Sequence, residues 1–229
     1  MNNAVDISAP CQLICEGRAD EAFFGRLLKA RSISGFQVRC ARSNKQPDKC
    51  AGKDGISDTI AAIFSTYDLL PSRIKGVLIA IDSDKDPKAQ FAFAQEQIKL
   101  GRPMAQPPDR IMEIKKSGGL SIAVMTIPWA DQLGNLDTLL FQSLDNTHAD
   151  IMPPLAEYCK GTEHRTRDWS IGEKSKMQLR CSVAVIHKPD PSQSLTYLVQ
   201  SSHGPFTFSH ARFDQIANYL DGFGKTVNP

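Results

Sequence analysis

The chain has 229 residues, 41% of them hydrophobic, which corresponds to one large domain or one domain with a small appendage and rules out wholesale disorder. Lys and Arg number 27 against 25 Asp and Glu, and a net charge of +2 neither announces nor excludes a nucleic-acid partner, because local patches outweigh the sum. No basic segment followed by an apolar stretch opens the chain, and no run of about 18 apolar residues occurs, so the reading expects no signal peptide, no membrane span and a cytoplasmic protein.

In chain order, residues 12–15 (QLIC) read as a short buried strand, and a helix from about Asp20 carries Phe23, Phe24, Leu27 and Leu28 on one face. Residues 36–40 (FQVRC) alternate like a second strand, and a loop rich in Lys, Asp, Pro and Gly runs to Gly55. Ile56, Ile60, Ile63, Phe64 and Tyr67 follow at helical spacing. The run GVLIAID at 76–82 is continuously apolar up to its final acid, as expected of a central parallel strand covered on both faces. Asp86-Pro87 looks like a helix cap followed by proline at the first helical position, with the helix reaching about Leu100. After a proline-rich loop, residues 121–127 (SIAVMTI) form a fourth strand and 136–144 a short helix.

That β-α-β-α-β-α-β order predicts an α/β fold, a parallel sheet with helices on both faces. The sheet domain is expected over residues 1–145. A helical extension packed on it is expected over 146–229, with helices near Leu155, from Lys174 to His187 and from Arg212 to Leu220.

Six cysteines lie at 11, 15, 40, 50, 159 and 181 without a CxxC or a zinc-finger spacing, so they are expected to be reduced thiols in small core positions. The five histidines (148, 164, 187, 203, 210) show no HExxH or HxH arrangement and read as surface or turn residues, which argues against zinc chemistry. The glycine-rich stretches lack GxxxxGK[ST] and GxGxxG, and there is no GxSxG, so neither a nucleotide P-loop nor a serine-hydrolase elbow is expected.

Acids concentrate where strands end: Glu16 after the first, and Asp82, Asp84 and Asp86 after the third. Sites in parallel α/β sheets form at the carboxyl ends of strands, so neighbouring strands bring Glu16 beside the DSDKD run. Carboxylates that close raise one another's pKa unless a cation intervenes. A hard ion such as Mg2+ or Mn2+ takes a few carboxylates and retained waters, and paired ions can assist phosphodiester cleavage. An EF-hand is excluded, because its sixth position is Pro87 and its twelfth Phe93. Asp86 also reads as a plain helix cap and Asp20 as a favourable charge in a first helical turn.

The succession of motifs resembles the TOPRIM domain shared by topoisomerases, primases and the OLD-family (overcoming lysogenisation defect) nucleases. It is similar in particular to small stand-alone TOPRIM-like proteins of bacterial, often defence-related, context. The residues that carry the resemblance are Glu16 to Asp20 (EGRAD), Gly52-Lys53-Asp54-Gly55, Asp82 to Pro87 (DSDKDP), Ile127-Pro128, Gly134-Asn135-Leu136-Asp137 and Ser175-Lys176. The resemblance implies that Glu16 is a metal ligand or general base, that Asp20, Asp82 and Asp84 are ligands, and that Asp86 is a third acid of its run. Asp137 stands where the family usually has Glu. Lys176 matches a late lysine that stabilises the phosphate in the transition state. The helical stripe Lys174, Met177, Cys181 and Ala184 turns Lys174 inward instead, so both lysines stay in view.

Two basic stretches would meet phosphates: Arg26 to Lys53, with eight basic residues against Asp48, and Lys160 to Arg180, with six against three acids. Only Phe36 and Trp169 offer rings for base stacking there, so sequence-specific reading is not expected. The expectation is a Mg2+- or Mn2+-dependent nuclease acting on DNA or RNA, in a phage-defence setting. The alternative is a non-catalytic module that binds nucleic acid or a partner and works with a separate ATPase. A homodimer stays open, and no membrane partner is expected.

Overall fold

The structure is a computed structural model that describes residues 6–145, 147–187, 190 and 192–228; residues 1–5, on which the expectation of no leader partly rests, lie outside it. The elements are β1 (Cys11–Cys15), α1 (Arg18–Ala30), β2 (Phe36–Cys40), β3 (Arg42–Ser43), β4 (Gln46–Cys50), α2 (Ile56–Leu69), β5 (Gly76–Asp82), α3 (Pro87–Gly101), β6 (Lys115–Ser117), β7 (Leu120–Ile127) and α4 (Leu136–Gln142). The helices α5 (Met152–Gly161), α6 (Glu163–Thr166), α7 (Ile171–Ile186), α8 (Leu195–Gln200) and α9 (Asp214–Val227) follow.

The main sheet has the order β2-β1-β5-β7-β6. Its first four strands are parallel, and β6 is an antiparallel edge. Alternation along each strand feeds two cores. Leu13, Leu78, Ala80, Ala123 and Met125 point to one face, where α1, α4, α7, α8 and α9 cover them. Ile14, Val77, Ile79, Ile81, Ile122 and Val124 point to the other, under α2 and α3. Burial on both faces accounts for the near-continuous apolar strands.

The chain leaves β1 through α1 to reach β2 on one side, and α2 crosses the opposite face to reach β5 on the other. The strand order therefore reverses between β1 and β5, the switch point where α/β folds open a crevice.

Several expectations need correction. The loop after β2 is a two-stranded hairpin, β3 with β4, and it brings Cys40 and Cys50 into a disulfide with their Cα atoms 5.6 Å apart. Only Cys11, Cys15, Cys159 and Cys181 are free thiols. His187 is buried, and the side chain of His210 is only 8% exposed beside Asp145, so these two are not surface residues. On α7 the inward stripe is Gly172, Ser175, Leu179, Ser182 and Val183, which face the core, and Ala184 is exposed. The stripe through Lys174 does not form.

The last helix runs well past Leu220, through Gly222 and Gly224, and the second of these glycines serves packing. At Gly224 a Cβ would sit 3.2 Å from the Phe36 ring, and Phe223 approaches so close to Gly76 of β5 that a Cβ there would sit 2.8 Å from its ring. Phe36 is therefore a packing residue against Phe223, while Trp169 remains exposed. Among the described residues no helix is long and apolar enough to cross a membrane.

Candidate site at the carboxyl ends of the strands

The first residue after β1 is Glu16, and the last residue of β5 is Asp82. Adjacent pairing of these strands seats them together, so that the Asp82 N–H donates to Glu16 Oε1 at 2.8 Å. Asp82 Oδ1 in turn accepts from the Leu136 N–H at 3.1 Å, tying β5 to the start of α4. Asp20, in the first turn of α1, reaches back to accept from the Gly17 N–H at 3.0 Å. This cap gives Asp20 a structural duty along with its place in the acidic group.

Asp84 sits in a left-handed conformation, φ 50°, and forms a two-bond bridge with Gly134: its N–H donates to the Gly134 carbonyl at 2.7 Å and the Gly134 N–H returns a bond at 3.0 Å. Gly134 has φ 122°, and a Cβ would meet Thr138 Oγ1 at 2.5 Å, so glycine is required where the β7–α4 loop closes on the β5 loop. Asn135 then caps α4 and presents Asp137 in its first turn.

Burial dominates the electrostatics. It pushes Glu16 up to about 7, with Asp20 and Asp84 adding repulsion and Lys53 and the Asp82 N–H opposing it. Burial likewise lifts Asp20 to about 6, helped by Asp137 and opposed by backbone N–H groups. Asp82 rises well above the carboxylate range through burial and then Asp20, Glu16 and Asp84. Asp137 is raised by burial, with Lys176 and Arg180 pulling it down. Its Oδ1 is buried without a hydrogen-bond partner, as is the hydroxyl of Ser83 between the two strand-end acids.

Five of the six expected acids, Glu16, Asp20, Asp82, Asp84 and Asp137, thus form one electrostatically linked group. Asp86 stands apart: it is exposed, and its Oδ1 accepts from the Lys88 and Ala89 N–H groups as the cap of α3. Of the two lysines on α7, Lys176 is the one whose charge acts on the acids, through Asp137; Lys174 is half-buried on the neighbouring face.

The residue that sequence reasoning passed over is Lys53. Its ammonium lies 2.6 Å from Asp84 Oδ2, 2.9 Å from Gln90 Oε1 and 3.9 Å from Glu16 Oε1. Burial works against its charge, yet Asp84, Glu16 and Asp82 together raise its pKa. The sequence placed it in the Gly52-Lys53-Asp54-Gly55 motif and among the basic residues of its stretch, without giving it a role at the site; the available signal was a lysine between glycines in a loop after a strand. The rest of that stretch is dispersed. Arg26 bonds the Gln200 carbonyl, Arg31 holds Phe208, His210 and Asp214, and Arg39 bonds Gln12 and the Asp6 carbonyl.

The all-oxygen donor set suits a hard divalent ion, and the unpartnered Asp137 oxygen and the lifted carboxylates show a surplus of buried acid over cation. Among the described residues, no three of these acids bring ligand oxygens within 4.8 Å of one another; the one group that close is Glu21 with Cys40 and Cys50, whose sulfurs are bonded to each other. An open arrangement of this kind fits an ion that keeps most of its waters rather than a closed protein cage. A cleft of about 390 Å3, lined by Asp84, Lys85, Asp86, Gln90, Asn135 and the start of α7, opens beside the acids.

The fold and the site together define a mostly parallel α/β protein with a buried acidic group at the switch point. The chain belongs to the family described as "Protein of unknown function (DUF3226)", which it matches over residues 10–224. No curated protein and no solved structure matches it.

Proposed function

We propose that the protein is a TOPRIM-like, Mg2+- or Mn2+-dependent nuclease that cleaves phosphodiester bonds of DNA or RNA. The observation that carries this reading is the meeting of Glu16, Asp20, Asp82 and Asp84 at the β1–β5 switch point, where burial and neighbouring acids lift the carboxyl groups of Glu16, Asp20 and Asp82. When bound, a divalent ion would supply a polarised water and charge neutralisation at the phosphate. Glu16 and Asp82 would hold it, with Asp20 and the buried Asp137 beside them and the more exposed Asp84 at the rim. If Asp82 carries the ion without Glu16, Glu16 would instead act as the general base that accepts a proton from the attacking water. Lys176 and Arg180, both exposed on α7 on the side that reaches Asp137, would face the substrate phosphates. The motif order quoted above supports the TOPRIM assignment and a role in phage defence.

Incubation of single- and double-stranded DNA and RNA with the protein and Mg2+ or Mn2+ tests the proposal. Cleavage should vanish in Glu16→Ala and Asp82→Ala. Activity surviving both changes refutes the site.

Lys53 favours a second reading, since its ammonium already offsets part of the acidic charge. On that reading the protein is a non-catalytic nucleic-acid- or partner-binding module working with a separate ATPase. Calorimetry would then show no divalent-ion binding while nucleic-acid affinity persists.

A further inference from the structure

We infer that Lys53 is a built-in counter-ion, and that a divalent cation enters the acidic site only by displacing its ammonium from Asp84 and Glu16. The inference rests on the metal-centre reading above and adds its regulation: the metal-free site is held shut by the chain's own cation.

The ammonium occupies the space an ion would need. Its partners Asp84 Oδ2, Gln90 Oε1 and Glu16 Oε1 come from the β5–α3 loop, from α3 and from the turn after β1. Two cations on those same oxygens would repel each other. The backbone under Lys53 is fixed while its side chain is free to leave. The 3-10 turn Gly52–Gly55 follows directly on the Cys40–Cys50 disulfide, and the Ala51 N–H donates to the Ala41 carbonyl at 2.8 Å. Gly55 is locked against the Arg42 backbone, where a Cβ would come within 2.8 Å. The Lys53 side chain, by contrast, is 28% exposed, which leaves it a way to solvent. Four methylenes on an anchored turn make a flexible arm with a compact charge at its tip. Lys85 and Lys88, nearby on the α3 side, are exposed and form no ion pair with the acids among the contacts described, so the shielding falls to Lys53.

The test is lysine acetylation of the full-length protein, read by mass spectrometry with and without Mn2+, alongside calorimetric titration of Mn2+ into the same sample. Lys29 and Lys99, exposed near the C-terminal ends of α1 and α3 and so away from the acids, serve as internal references. Acetylation of Lys53 should rise severalfold when Mn2+ binds, while the references stay constant. Lys53→Met should bind Mn2+ roughly tenfold more tightly, within the range usual for two ligands that oppose each other. If Mn2+ binds and Lys53 labelling is unchanged or falls, displacement is refuted and the metal centre stands. If neither wild type nor Lys53→Met binds Mn2+, the metal-centre reading fails and takes this inference with it.

Discussion

Replacing Glu16 with glutamine should stabilise the metal-free protein at pH 8 and leave it unchanged at pH 4.5. The folded protein holds the Glu16 proton up to about 7, whereas the unfolded chain releases it at the ordinary 4.5. Stability is therefore lost as pH rises through that window, by about 3 kcal/mol in total, and the loss is complete above pH 7. The side chain is only 16% exposed, so solvent screening removes little of this. Glutamine keeps Oε1 to accept the Asp82 N–H and has no charge to desolvate. The attraction of Lys53, 3.9 Å away, is already contained in that net shift. The gain at pH 8 is therefore about 3 kcal/mol, which corresponds to roughly 6 to 12 °C in melting temperature for a chain of this size. Thermal unfolding in EDTA at the two pH values measures it. With Mn2+ present the order should invert, wild type gaining most. A Glu16→Gln protein destabilised equally at both pH values would refute the claim that burial, rather than a structural role, governs this residue.

Other outcomes follow from the same structure. Gly134→Ala should break the Asp84 bridge, lower the melting temperature and abolish Mn2+ binding by calorimetry, since a Cβ meets Thr138 at 2.5 Å and φ is 122°. Phe223→Ala should cost about 3 to 5 kcal/mol in denaturant titration, as expected for a fully buried ring. Cys40→Ser should lower stability by about 2 to 3 kcal/mol, the range for a short disulfide loop, and an unchanged midpoint would show that the hairpin holds without the bond. In the native protein Cys15 should resist alkylation while Cys159 reacts, because burial and the neighbouring acids push the Cys15 thiol far up.

Much of the sheet could be read from residue order, and for a physical reason. GVLIAID and SIAVMTI are buried on both faces, so composition alone marks them. Glu16 after β1 and Asp82 at the end of β5 were legible because a charge closing an apolar strand requires a partner. What stayed hidden depended on contacts distant in sequence. β4, QPDKC, is polar because it lies outside the core, and β6 is a three-residue edge turned by Gly118-Gly119, both in left-handed conformation. The six-residue α8 is too short to show a period. Lys53 joins Asp84 across 31 positions, and no local pattern reports that meeting.

The face of the sheet covered by α9 sets the order in which the molecule can be made. Gly76 at the start of β5 is packed by Phe223 and Val227, which are synthesised only after every strand of the sheet. Until they emerge, Leu78, Ala80, Ala123 and Met125 lack part of their cover, even with every strand already synthesised. A nascent chain stalled before α9 therefore presents that uncovered apolar surface to chaperones and proteases.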